Sequence, residues 1–178
     1  MTRNNPTDRV ERESLTARDG EEIAARVNGG DWLVAWHPPP AAPEGKRHGA
    51  AGICLVPDGG LVLISNDGEH WELPAGRPEG DESWEQTLRR EMLEEACATV
   101  VRARLLGFSR GVCTSGHEDG LVLVRSFWRA EVQLAAWEPK FEVAHRRVVP
   151  VNARPAHLWM GDGFAPIFQR AFAEAGLA

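Results

Sequence analysis

The stretch GRPEGDESWEQTLRREMLEEACA, Gly76 to Ala98, decides how this chain is read. Trp84, Leu88 and Met92 fall at i, i+4 and i+8, the spacing of one helix face. Ser83 with Gln86 three residues on is the signature of a capping box, and Pro78 and Gly80 keep the preceding chain irregular. Glu91, Glu94 and Glu95 stand at i, i+3 and i+4, so they share a second face beside the apolar one. Carboxylates this close repel one another unless something positive lies on them. A hard divalent cation takes carboxylate oxygens, which points to phosphate chemistry rather than to a solvated helix face.

Working outward, Trp71 to Ala75 leads into this segment, His70 to Leu73 being short and extended, and Asn66-Asp67-Gly68 is a turn. Pro57-Asp58-Gly59-Gly60 is a hairpin turn between a strand over 49–56 and its return, Leu61 to Ile64. Trp32 to Trp36 predicts a strand, and Pro38, Pro39, Pro40 and Pro43 an extended connector. Residues 15–27 predict a short helix anchored by Leu15, Ile23 and Val27. Residues 1–14, apolar only at Met1 and Val10, predict a disordered or loosely helical segment. Downstream come strands over 100–108, 121–132 and 147–151, with loops over 112–120 and 137–142. On the second of these strands Leu123, Arg125, Phe127 and Arg129 share one parity. Asp162 caps a last helix whose stripe is Phe164, Ile167, Phe168, Ala171 and Phe172. Strands interleaved with two marked helices predict the α/β class. The expected division is an N-terminal extension over 1–30 and a single domain over 31–178.

The chain has 178 residues and a net charge of −6, so one domain is expected and nothing electrostatic favours a nucleic-acid polymer as partner. Its three cysteines, Cys54, Cys97 and Cys113, form no CxxC pair, which argues against a disulfide framework or zinc site and for buried thiols. No run reaches the roughly 18 apolar residues of a membrane span, and the polar start is unlike a signal peptide. A cytoplasmic protein is expected. Seven tryptophans and no tyrosine occur; core packing is the default for each, and Trp71 and Trp137 are the candidates for stacking on a base. His117, Glu118 and Asp119 read as a solvated turn rather than a metal trio.

The fixed residues of the opening segment resemble the signature of the Nudix hydrolases, G-x5-E-x7-R-E-U-x-E-E-x-G-U, with U a bulky aliphatic residue. Gly76, Glu82, Arg90, Glu91, Met92, Glu94 and Glu95 match in type and spacing. Cys97 replaces the late glycine and Ala98 the last aliphatic. Glycine at a helix end supplies a left-handed conformation; a cysteine there predicts about 1–2 kcal/mol of strain, or a helix that ends differently. The resemblance implies an α/β/α sandwich with a mixed sheet and a hydrolase, dependent on Mg²⁺ or Mn²⁺, in which water attacks a phosphorus of a diphosphate linkage. The substrate is expected to be a small nucleoside diphosphate derivative or a nucleotide.

Carried onto this chain, Glu91, Glu94 and Glu95 are metal ligands, joined by the carbonyl of Ala75, and Glu82 either completes a second metal shell or fixes its loop. Glu91 and Glu94 are the catalytic carboxylates, Glu91 as base or base helper, and Arg90 orients the cluster. Glu142 is preferred over Glu118, Glu131 and Glu138 as a further acid from a later loop. Arg77 and Trp71 are the candidate substrate contacts. The N-terminal extension loosely resembles those that some sugar-nucleotide hydrolases exchange, so a homodimer is expected. Two other readings stand beside this one: a catalytically weak module of the same fold that binds a nucleotide or a protein, and a prenyl diphosphate isomerase, which wants a reactive cysteine for which Cys113 is the only loose candidate. The subtype marks for ADP-ribose, diadenosine polyphosphate and coenzyme A hydrolases are missing, and the substrate goes unnamed.

Overall fold

The computed structural model describes residues 16–177. Its strands are β1 (Ile23–Val27), β2 (Gly30–His37), β3 (Lys46–Leu55), β4 (Leu61–Ser65), β5 (Ala75–Gly76), β6 (Ala98–Ser115), β7 (Val122–Leu134) and β8 (His145–Val149). The helices are α1 (Trp84–Ala96), α2 (Arg154–His157) and α3 (Ala165–Glu174). The strands form one sheet in the order β1-β2-β6-β7-β3-β4-β8, with β5 paired to β3. β3 and β7 run parallel, while β6 with β7 and β3 with β4 run antiparallel, so the sheet is mixed.

Successive strand residues point to opposite faces, and each face finds a helix. Ala50, Cys54 and Val62 pack with Leu88, Met92 and Ala96 of α1. The neighbouring Ala51, with Trp36, Leu63 and Phe127, packs with Ile167, Ala171 and Phe172 of α3 on the other side. The fold is the expected α/β/α sandwich. The α1 start is also as expected: Ser83 Oγ accepts from the Gln86 amide at 3.2 Å and Gln86 Oε1 accepts from the Ser83 amide at 2.8 Å.

Several local expectations are corrected. Residues 23–27 form β1, a strand antiparallel to β2, and not part of a helix over 15–27. Asn28 and Gly29, at φ 49° and 78°, make the two-residue turn that Asn-Gly favours, and the turn outweighs weak helical spacing. β1 thus belongs to the same sheet, and Ala17 to its core, so residues 17–27 are built into the domain rather than appended to it. The expectation for residues 1–14 lies outside the described residues. β6 continues past residue 108 to Ser115, paired with β2 and β7, leaving a tighter turn before β7 than the loop expected over 112–120. β8 starts two residues earlier than the strand expected over 147–151. Asp162 does not cap α3; Phe164 holds the N-cap position without a side-chain bond, and Pro lies in the first turn.

Candidate active site

The site is assembled where the sheet divides. β3 pairs with β4 at Leu55 and with β5 at Ala50 and Ala51. This leaves Ala75 and Gly76 running along β3 directly beside α1. Glu91 is buried, and its carboxylate occupies the space where a Cβ on Gly76 would stand. That overlap is the physical reason for a glycine at residue 76. Glu95 reaches the same strand, its Oε2 accepting from the Ala75 amide at 2.9 Å.

Arg90 threads the acidic residues together. Its Nε donates to Glu82 Oε1 at 2.8 Å and its Nη2 to Glu82 Oε2 at 3.0 Å. Nη1 donates to Glu91 Oε1 at 2.9 Å and to Glu94 Oε2 at 3.1 Å. Nη2 also holds the Arg77 carbonyl at 2.7 Å, which pins the loop before the helix. Glu82 Oε2 further accepts from Thr87 Oγ1 and from the Glu79 amide, both at 3.0 Å. With both oxygens engaged, Glu82 braces its loop. Hydrogen bonding from Arg90 holds the Glu82 carboxyl well below the usual range.

The other carboxylates shift the opposite way. Burial raises Glu91, with Arg90 opposing. Burial pushes Glu95 up to about 7, and the charges of Glu91 and Glu72 add to it. Buried carboxylates rise in this way when too little positive charge lies near them. Arg90 alone pairs with Glu91 and Glu94, and among the described residues Glu95 makes no ion pair. As they stand, no three acidic, His or Cys side chains of the described residues form a ready metal cluster. The donor set, buried carboxylate oxygens with surplus charge around a glycine-cleared strand, nonetheless fits an oxygen-seeking divalent cation.

On the α3 side of the sheet, next to Ala75 and Arg77, lies a cavity of about 590 Å³. Its floor comes from the sheet: Trp32 and Val34 of β2, His48 and Ala51 of β3, Ser109 and Gly111 of β6, and Leu123, Arg125 and Phe127 of β7. The β1–β2 turn, the segment Trp159 to Asp162, and Phe164 and Phe168 close the other sides. Burial, and then the charges of Arg125 and Arg77, push the His48 ring down to about 4.

A NUDIX domain profile matches residues 46–166, more than half of the chain. The chain belongs to the Nudix family. It is accordingly a hydrolase acting on phosphoric anhydride bonds. The pyrophosphohydrolase BsRppH of Bacillus subtilis, solved as a point mutant, is similar in fold with a TM-score of 0.62 at 20% identity, over 86% of this chain and 97% of that one. The NUDIX domain of Shewanella oneidensis NrtR, solved with ADP ribose, superposes with a TM-score of 0.55 at 15% identity, over 75% of this chain and 90% of that one. RenU, a Nudix hydrolase from M. smegmatis, gives 0.54 at 20% identity, over 88% and 96%. No curated protein matches the sequence.

Within this Nudix domain, Ala75, Glu82, Arg90, Glu91, Glu94 and Glu95 come together, and Ala75 and Arg77 also line the cavity. Trp71 and Glu142 do not join them. Trp71 belongs to the core and stacks under the Arg147 guanidinium at 4.5 Å. The exposed Glu142 does not line the cavity, whereas Glu118, on another of the later loops, does. Trp137 packs with the α1-side core beneath Arg146, and the tryptophans at the cavity are Trp32 and Trp159. Sequence reasoning did not place His48, Arg125 and Trp159 at the cavity, which they line. A signal for Arg125 was present: it interrupts the apolar parity of Leu123 and Phe127.

Cys97 closes α1 in the left-handed conformation, φ 47° and ψ 43°, that glycine would adopt there. Its Sγ donates to the Glu138 carbonyl at 3.4 Å. The strained backbone is retained, and among the described residues no hydrogen bond joins Cys97 to a carboxylate of the acidic cluster. All three cysteines are free and buried.

Proposed function

We propose that the enzyme is a divalent-metal-dependent pyrophosphohydrolase of nucleoside diphosphate derivatives or nucleotides. The observation that carries this reading is the convergence of Glu91, Glu94 and Glu95 on the Ala75–Arg77 strand and loop, beside a cavity wide enough for a nucleoside. Glu91, Glu94 and Glu95 would hold Mg²⁺ or Mn²⁺, with the Ala75 carbonyl as a further oxygen. When bound, the cation neutralises the diphosphate and polarises its phosphoryl oxygens.

The chain's own residues supply the rest. Arg90 orients Glu91 and Glu94 and ties them to Glu82, which braces the entry loop; partners of this kind set ligand geometry. Glu91, buried and desolvated, is the candidate base for the attacking water. Glu118 replaces Glu142 as the preferred acid from a later loop, because it lines the cavity. Arg77 meets substrate phosphate, and Trp159 replaces Trp71 as the candidate stacking surface. Free, buried thiols accord with a cytoplasmic location, and among the described residues no helix is long and apolar enough to cross a membrane. A homodimer is the proposed quaternary state, to be read by light scattering.

The decisive experiment is a phosphate-release screen over nucleotide and nucleoside diphosphate substrates with Mg²⁺ or Mn²⁺, run beside Glu94→Gln and Glu95→Gln. Turnover in the parent is expected to fall by about a hundredfold or more in either variant, since even residues that only support ligands cost 10–100-fold. Variants that match the parent sink the metal assignment. A parent silent on every substrate favours the binding-module reading.

A further inference from the structure

The last turn of α1 is unfavourable as a stretch of sequence. Glu94 and Glu95 stand in it, at the negative end of the helix dipole, and the turn contains no basic residue. Cys97 then ends the helix in the left-handed conformation that a side chain resists. The last carbonyls of a helix also have no partner within it. This same turn carries two of the three carboxylates proposed as cation ligands, and from it Glu95 reaches the Ala75 amide.

What meets this helix end comes from β8, 50 residues beyond Ala96 in the chain. Arg146 stands opposite Ile64 of β4. Its Nη1 donates to the Ala96 carbonyl at 2.7 Å and to the Cys97 carbonyl at 3.4 Å, and its Nη2 donates to the Ala135 carbonyl at 3.1 Å. The guanidinium lies over the Trp137 ring at 5.3 Å. The Ala135 amide donates to the Cys97 carbonyl at 2.9 Å, so the segment after β7 is laced to the same end. One planar cation thus satisfies terminal carbonyls and opposes the negative end of the dipole. The arginines within α1 are engaged elsewhere: Arg89 with Glu85 and the Val100 carbonyl, Arg90 with Glu82, Glu91 and Glu94.

We propose that Arg146 is a positioning residue of this hydrolase: it clamps the Cys97-ended last turn of α1 and so keeps Glu94 and Glu95 directed at the Ala75–Gly76 strand. Among the described residues it bonds to no carboxylate of the cluster; it acts through the Ala96 and Cys97 carbonyls. The role in the reaction rests on the reading of Glu94 and Glu95 as cation ligands, whereas the clamp itself is open to a test that needs no cation.

Hydrogen exchange of the Ala75 amide, followed by NMR on the full chain in excess chelator, reads whether Glu95 stays in place. Arg146→Gln is expected to speed exchange at Ala75 about tenfold, with the amides of the β6–β7 ladder unchanged. Arg146→Lys keeps the charge and loses the fork, and is expected to fall between. In a Cys97→Gly background the acceleration is expected to shrink to about threefold, because glycine takes the left-handed end without strain. Calorimetric affinity for Mn²⁺ is expected to fall about tenfold in Arg146→Gln, with the substrate KM at saturating metal unchanged. Parent-like exchange at Ala75 in Arg146→Gln overturns the clamp. So does faster exchange across β6 and β7 alike, which is loss of stability and not of position. Should Arg146→Gln fail to fold, parent-like exchange at Ala75 in Arg146→Lys overturns it instead. Equal acceleration in both Cys97 backgrounds overturns the link to the left-handed end, and parent-like Mn²⁺ affinity beside faster Ala75 exchange overturns the positioning role. A parent that binds no Mn²⁺ breaks the metal reading and leaves the Ala75 result standing, so the two failures are distinct.

Discussion

The carboxylate face of α1 draws its side chains from one continuous segment, Glu82 to Glu95, and a single guanidinium bonds to three of them. The cavity beside it draws Trp32, His48, Arg77, Arg125 and Trp159 from separate strands and loops, and of the three arginines that line it the Arg125 guanidinium makes no hydrogen bond or ion pair among the described residues. One half is closed on itself by hydrogen bonds; the other is open-handed. On the proposed reading, the acidic cluster needs its geometry held before substrate arrives, whereas the cavity needs donors left free. The difference also separates local from non-local construction. A helix brings i, i+3 and i+4 together by itself, while the wall exists only once β2, β3, β6 and β7 lie side by side.

The sharpest way to break the contrast is to loosen the α3 side of the sheet without touching α1. Phe172 of α3 is fully buried beneath the Arg154 guanidinium, 4.3 Å from its ring centre. Phe172→Ala is expected to cost about 3–5 kcal/mol in urea denaturation, while the surviving folded fraction keeps its metal affinity. Parallel loss of metal affinity in that fraction would show that the two halves are not independent.

Gly76→Ala attacks the other half. The new Cβ meets the Glu91 carboxylate, so about 1–3 kcal/mol of stability is expected to go in overpacking, together with most turnover because Glu91 is displaced. A variant with parent-like turnover shows that Glu91 need not sit where it does.

The burial of the cavity wall, and then its positive charge, has a pH signature. His48 is held down to about 4 against an ordinary value near 6.5. Its folded value lies below its unfolded one, so the unfolded chain takes up the proton first. Stability is therefore intact above about 6.5 and declines as pH falls from there to 4. After allowance for solvent screening the decline is roughly 1–2 kcal/mol, and His48→Gln is expected to flatten that limb of the stability profile. Ring-proton NMR that finds His48 titrating near 6.5 shows that burial and the nearby arginines do not act on the ring as described.

The smallest expected effect concerns the helix end. Cys97→Gly relieves about 1–2 kcal/mol of left-handed strain, offset by about 0.5–1 kcal/mol of glycine entropy and by the lost bond to Glu138. The net change is expected to stay under about 1 kcal/mol, with turnover unchanged. A large gain in turnover would mean that the cysteine distorts the carboxylate face after all.

Much of this was legible from residues alone. The capping box, the apolar stripe of α1, the turn at residues 57–60 and the acidic i, i+3, i+4 set all depend on neighbours within a few residues, and all appear as expected. Cys97 was readable as an unfavourable helix end because conformational cost belongs to the residue itself. The β1–β2 hairpin was not read, although Asn28-Gly29 announced it, because Ile23 and Val27 also fit a helical spacing. Trp71 and Glu142 do not line the cavity for a different reason: the position of an aromatic or an acid in the sequence has no fixed relation to a cavity built by distant strands.

The sequence by itself determined the reaction. Gly76, Glu82, Arg90, Glu91, Glu94 and Glu95 carry their geometry within one loop and one helix, and that geometry is an acidic cluster beside a braced loop, the pattern of the Nudix family. Only the tertiary structure decided what faces that site. Arg125 lies opposite Gly49, and His48 and Trp159 face the same cavity, because strands and loops far apart in the chain are brought together. Such pairings are set by burial across the whole sheet, which no local pattern encodes.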